Sequence, residues 1–290
     1  MTGVLLLLMS GILCPGICAQ GTIMRSNDDF GNKETIYADN SAPEYTFPDN
    51  ERMRIIYDCT LAFKDSKRDP IKAEYILQIG SSTSKFYSFI QHQCDSMLVN
   101  STGGAYLTPR YRLYDGANHL FVQDCFYTDM PSGNLTFTGR IVTEDYEYTE
   151  TLPQIEWKVL EGISMICGYT CHKAKGTFRG REYEVWYTEQ IPSTAGPWKL
   201  RGLPGAILEA RDSSGECSFV AKKVLPGTGK IFKASYPYMK VTRKQYTRMQ
   251  QQMLELRGAF TSQHTSGSGI RIIQVEKQKP YPAVVELEKD

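Results

Sequence analysis

The stretch from 154 to 225 constrains the fold most, because apolar and polar residues alternate along it and turn residues interrupt it at short intervals. In "EYEVWYTE", Tyr183, Val185 and Tyr187 share one face while Glu184, Trp186 and Thr188 share the other, as in a strand with one side on a core. "QIEWKVLE" reads as pairing through Gly162 with "SMICGYTCHKAKGTF". A second turn at Arg179-Gly180-Arg181 leads into "EYEVWYTEQI", and "GAILEARDSSGECSFVAKKV" reads as a hairpin turning at Asp212-Ser213-Ser214-Gly215.

Upstream, "MRIIYDCTLAF" (53–63) and "AEYILQIG" (73–80) read as an antiparallel pair around a charged turn at Asp65 to Pro70. The segments "YLTPRYRLY", "HLFVQDCFYT", "NLTFTGRIVT" and "DYEYTET" follow, set apart by turns such as Asp115-Gly116 and Pro131-Ser132-Gly133. Strands at this spacing predict an open antiparallel sheet, a sandwich or a barrel, and 18 Tyr residues suit half-buried strands. One or two helices are expected. One lies in 81–101, with Ser84 as cap and Phe86, Phe89, Ile90, Met97 and Leu98 on a loose face. The other begins at a capping box of Thr242 and Gln245, lines Tyr246, Met249, Met253 and Leu256 on one face, and ends at Gly258. "IRIIQV" near the C-terminus reads as a further strand.

Residues 1–19 read as a signal peptide, with an apolar run from Val4 to Leu13 and a cleavage site at Ile17-Cys18-Ala19. The run is too short for a bilayer, which needs about 20 apolar residues, and nothing later reads as a transmembrane segment. The expected organisation is then a flexible arm over 20–53, a single β domain over 54–278 and a tail over 279–290. The expected location is the periplasm or the extracellular space. A net charge of +1 gives no footprint for nucleic acid. Six cysteines follow the leader: Cys59, Cys94, Cys125, Cys167, Cys171 and Cys217. An even number in an oxidising compartment predicts disulfides, with 15 connectivities open.

Catalytic signals are sparse. No G-x-S-x-G occurs, and the four His residues sit outside any recognisable motif. "CGYTCH" brings Cys167, Cys171 and His172 together as candidate copper or zinc ligands. On an extended strand, however, the two thiols lie ~13 Å apart and the imidazole points the other way. The densest local organisation is "GPWKLRGLPGAILEARD" (196–212), where Gly-Pro and Pro-Gly pairs pre-bend a loop around Trp198, Arg201 and Leu203. Two roles compete for it: plugging one end of a sheet, or touching a ligand together with Trp186, Tyr187 and Arg181.

Gly202-Leu203-Pro204-Gly205-Ala206-Ile207, with "WKVLEG", "GYTCHKAKGTFRGREYEVWYT", "EQIP" and "GPWKLRGLPG" in order before it, resembles the signature of the GLPGLI family of exported Bacteroidota proteins, with Ala206 where Leu is usual. The resemblance spans 155–212 and reaches loosely back to "YSF" near 87. It implies a GLPGLI-type domain over 54–278, related to the bowl-like domain attached to some peptide N-glycosidases. The fold class expected is therefore mainly β (α+β), a curved antiparallel sheet or open half-barrel with one or two packed helices. It also implies a TonB-dependent outer-membrane receptor, or another envelope protein, as partner, and it draws attention to Asp95-Ser96-Met97 as an O-glycosylation pattern. The leading expectation is an exported binding or assembly protein, not an enzyme, whose trough takes a peptide, glycan or lipid-like cargo. The alternatives are copper or zinc handling by Cys167, Cys171 and His172, and an accessory domain of glycan hydrolysis.

Overall fold

The computed structural model describes residues 22–27, 33–38, 44–62, 70–100, 123–141 and 144–260. The leader, "YLTPRYRLY", "IRIIQV" and the 279–290 tail lie outside them. The strands are β1 (Thr22–Asn27), β2 (Lys33–Ala38), β3 (Glu44–Asn50), β4 (Met53–Leu61), β5 (Ile71–Ile79), β6 (Thr83–Ser88), β7 (Cys125–Asp129), β8 (Asn134–Ile141) and β9 (Glu144–Thr151). They continue with β10 (Lys158–Ile166), β11 (Tyr169–Phe178), β12 (Arg181–Thr188), β13 (Ala206–Asp212), β14 (Cys217–Pro226), β15 (Lys230–Ser235) and β16 (Met239–Lys240). Helix α1 (Phe89–Asn100) follows β6, and α2 (Arg243–Phe260) follows β16.

Twelve strands form one open, curved sheet in the order β10-β11-β12-β13-β14-β4-β5-β6-β7-β8-β9-β16. Every pairing in it is antiparallel except that of β16 with β9. Within the segment expected to be a flexible arm, β3 pairs with β15 and β1 with β2 in two small sheets.

Turn chemistry explains where prediction and structure part. The β10–β11 hairpin turns at Cys167-Gly168, both with positive φ (52° and 86°). That is what a two-residue turn needs to match the strand twist. Gly162, expected at the turn, instead sits inside β10 at φ 139°, where the register with β11 shifts: it is a bulge. Arg179-Gly180, with φ of 44° and 73°, turns β11 into β12 as predicted. Around residue 84 the chain is strand, not helix cap. The cap of α1 is Ser88, whose Oγ accepts the Gln91 amide at 3.0 Å. At α2 the capping box forms: the Gln245 amide donates to Thr242 Oγ1 (3.3 Å) and the Thr242 amide to Gln245 Oε1 (2.8 Å).

The two faces of the sheet are covered differently. The inner face carries Tyr57, Phe86, Phe126, Phe137, Tyr183 and Phe219 in one core that also takes in Tyr246 of α2. Here the loop between β12 and β13 meets β9: Lys199 Nζ donates to Glu150 Oε1 (2.7 Å) and lies 3.3 Å from the Tyr148 hydroxyl, while Arg179 reaches Glu150 Oε2 at 2.7 Å. The outer face of β5 to β7 is buried as well, with Ile76, Tyr87, Cys125 and Tyr127 in a second cluster packed against Phe89 of α1. This double burial explains why β5 and β6 read as continuous buried runs where β11 and β12 alternate.

Candidate functional site

The loop that organised the sequence reading is packed into the inner face. Trp198 and Leu203 are buried, and Trp198 meets Phe178 edge to face at 5.5 Å between ring centres. Its glycines are there for close approach: a Cβ on Gly205 would lie 2.0 Å from the Thr188 carbonyl oxygen, and one on Gly196 2.6 Å from that of Leu200. Arg201 is half-buried and donates to the Met130 carbonyl.

The other residues singled out from sequence do not gather around it. Tyr187 is buried, with its ring 6.0 Å from that of His172. Trp186 lies half-buried on the opposite face, under Lys173 and against the Gly162 bulge. Arg181 is buried in an ion pair with Asp212 (2.5 Å) and Glu216 (3.0 Å). Cys167 stands exposed in its turn, with Sγ 3.3 Å from the Ala221 carbonyl, while Cys171 is buried. No group of three His, Cys, Asp or Glu residues that could hold a metal occurs among the described residues, so the copper or zinc alternative finds no ligand set there.

The expected disulfides are corrected: no disulfide is present among the described residues. The register gives the reason. Cys59 stands opposite Phe219, Cys125 opposite Thr138, Cys171 opposite Ser164 and Cys217 opposite Leu61, so none of these faces another cysteine across a ladder.

A cleft partly open to solvent lies on the outer face. Its walls are α1, β7, the outer residues of β8 and β9, and the end of β15 with the chain beyond it. Tyr236 and Tyr238 supply aromatic surface, with the buried Tyr127 also lining the cleft, and Asp95, Arg140 and Asp145 supply charge. Alternation along β8 accounts for the division of labour. Thr138 and Arg140 face the cleft, while the missing side chain of Gly139 leaves room on the inner face for Asp124 and Tyr246.

Each charge at the cleft has a partner. Arg140 Nε donates to Asp145 Oδ1 at 2.8 Å and Nη2 to Oδ2 at 2.5 Å, a two-pronged pair across β8 and β9. Asp95, nearly buried, receives Lys85 Nζ on Oδ2 (3.2 Å) and Gln91 Nε2 on Oδ1 (2.6 Å). Beside the cleft, burial pushes the Glu147 carboxyl up, but hydrogen bonds from Lys233 and Lys240 outweigh it and hold the group below its ordinary range. Burial raises the Tyr238 phenol, whose hydroxyl donates to the Ala234 carbonyl at 2.9 Å. It also pushes the Cys125 thiol up to about 12, which leaves that sulfur inert as a nucleophile. The cleft thus offers phenol rings, carboxylate acceptors and a guanidinium with the charges balanced, a composition suited to a neutral, hydroxyl-rich ligand.

Sequence reasoning missed this site because its walls come from segments more than a hundred residues apart. Asp95 and Asp145 were in view only as parts of other patterns, and Tyr236 and Tyr238 carried no signal of their own.

A family model described as "Protein of unknown function (Porph_ging)" matches residues 179–209. Two solved structures of PNGF-II, in space groups P21 and C2, are similar to the chain at 16% identity over 70% of its length, with TM-scores of 0.47 and 0.46. The chain spans about a third of those chains, 34% and 33%. No curated protein matches it. The expected GLPGLI membership is corrected: the family model that matches is the Porph_ging one. The non-enzymatic binding or assembly reading, and with it the expectation that the protein is not an enzyme, is likewise withdrawn: the solved structures similar to the chain are those of PNGF-II. At this level the likeness assigns no residue a role.

Proposed function

We propose that this protein serves glycan processing, and that the outer cleft between α1, β7 to β9 and the chain after β15 is where it holds a saccharide. The carrying observation is the composition of the cleft: three tyrosines beside two carboxylates and an arginine whose charges are internally compensated. Sugars present C–H faces that pack on aromatic rings and hydroxyls that donate to carboxylates. A balanced site favours neutral sugars over charged ones. On the inner face, by contrast, Trp198 and Leu203 of the loop are buried in the core.

No helix among the described residues is long and apolar enough to cross a membrane. Export through the 1–19 leader, and work beside an outer-membrane receptor, belong to the same proposal and are tested by fractionation and co-purification from the native host.

The direct test is calorimetric titration with neutral trisaccharides of glucose, mannose and N-acetylglucosamine. Binding by the wild-type chain that weakens in Tyr236→Ala and Asp145→Asn supports the reading. Binding unaffected by both substitutions, or none at all, overturns it. A glycopeptide incubated with the protein and read by mass spectrometry shows whether the bound glycan is also released.

A further inference from the structure

Behind Asp95 at the edge of the cleft sits a lysine that solvent does not reach. Lys85 of β6 is 0% exposed, and a buried ammonium is expensive unless its protons are taken up. Here they are taken up by the walls of the cleft. Nζ donates to Asp95 Oδ2 on α1 and to the Phe232 carbonyl on β15, each at 3.2 Å. It also lies 4.0 Å from the ring centre of Tyr87 and 4.3 Å from that of Phe232. One cation on the sheet therefore touches both elements that stand over it. Asp95, fixed from below by Lys85 and from within its own helix by Gln91, borders the cleft and keeps acceptor capacity on each oxygen.

We infer that Lys85 is the positioning residue of the saccharide cleft: it ties α1 and β15 to the sheet and presents the Asp95 carboxylate to the ligand's hydroxyls. The inference rests on the saccharide reading above. It makes Asp95 the ligand-touching acceptor and gives Lys85 no contact with the ligand.

The test uses the full chain, the three neutral trisaccharides, and the variants Lys85→Met, Asp95→Asn and the double Lys85→Met/Asp95→Asn. Each single variant breaks a buried pair and is expected to lower the melting temperature and weaken binding. The double variant replaces the pair by neutral groups of similar size, which buried sites tolerate. It is expected to recover most of the melting temperature while affinity stays weaker by about tenfold or more, the worth of a hydrogen bond to a charged group. A pair that only held the fold would give back affinity together with stability.

Lys199→Met/Glu150→Gln, which removes an ion pair on the inner face, is expected to leave affinity unchanged. If the double cleft variant binds like wild type while Tyr236→Ala does not, the role given to Lys85 and Asp95 is wrong and the cleft stands. If none of the cleft variants alters binding, or the wild-type chain binds no saccharide, both fall. A double variant that fails to regain stability overturns the role of the pair as well.

Discussion

The two faces of the sheet use polar side chains in opposite ways. On the inner face, Lys199 of the glycine-bent loop and Arg179 converge on Glu150. On the outer face, Asp95, Arg140 and Asp145 are also paired, but their pairs line a cleft that opens to solvent. Pairing alone does not mark a functional site. What distinguishes the outer group is pairing next to aromatic surface that a ligand can reach.

The sharpest break in that contrast is steric. Gly205→Ala sets a Cβ against the Thr188 carbonyl and should cost about 3 kcal/mol or more, read by chemical denaturation. Gly168→Ala has open space around it and pays only for its positive φ, about 1 kcal/mol. Trp198→Ala removes a buried indole and should cost about 3–5 kcal/mol while leaving trisaccharide affinity as it was. Equal losses of affinity in Trp198→Ala and Tyr236→Ala would erase the distinction between the faces.

A smaller effect carries a sign. Asp124 is buried beneath α2, where the Tyr246 hydroxyl donates to its Oδ1 at 3.1 Å. Burial pushes its carboxyl up to about 7, against the hydrogen bonds from Tyr246 and Gln250 and the charge of Lys199. In the unfolded chain it titrates near 4. Its contribution is therefore fully present below about pH 4 and is lost as the pH rises to about 7, because the unfolded state releases a proton that the fold retains. Asp124→Asn should gain on the order of 1 kcal/mol or more at pH 8 and flatten the pH dependence between those limits. Melting curves from pH 4 to 8 check it, and an unchanged slope would contradict the assignment.

The least expected change is in the hairpin at Cys167. With its thiol exposed while Cys59, Cys94, Cys125, Cys171 and Cys217 are buried, alkylation should modify Cys167 first and leave melting temperature and affinity within error of the untreated chain. Mass spectrometry locates the adduct.

Much of the scaffold was legible in the sequence. Alternation in "EYEVWYTE" fixed the strand and its two faces, and Thr242 with Gln245 fixed the start of α2. The turn at Cys167 was not, because cysteine is an unusual first residue for a two-glycine-like turn and Gly162 looked the better candidate. The segment at 81–88 misled because β6 is buried on both sides, so it lacks the alternation that marks a strand. The cleft was illegible for a different reason: a site assembled from α1, β8, β9 and β15 leaves no local pattern, and the loop at 196–205 drew attention by its composition while serving the interior.

Hydrogen exchange with and without the best-binding trisaccharide tests the central claim most directly. Protection confined to residues 91–95, 138–145 and 234–238 is the predicted footprint. Protection centred on 189–205, with the cleft segments exchanging as before, would return the site to the inner face.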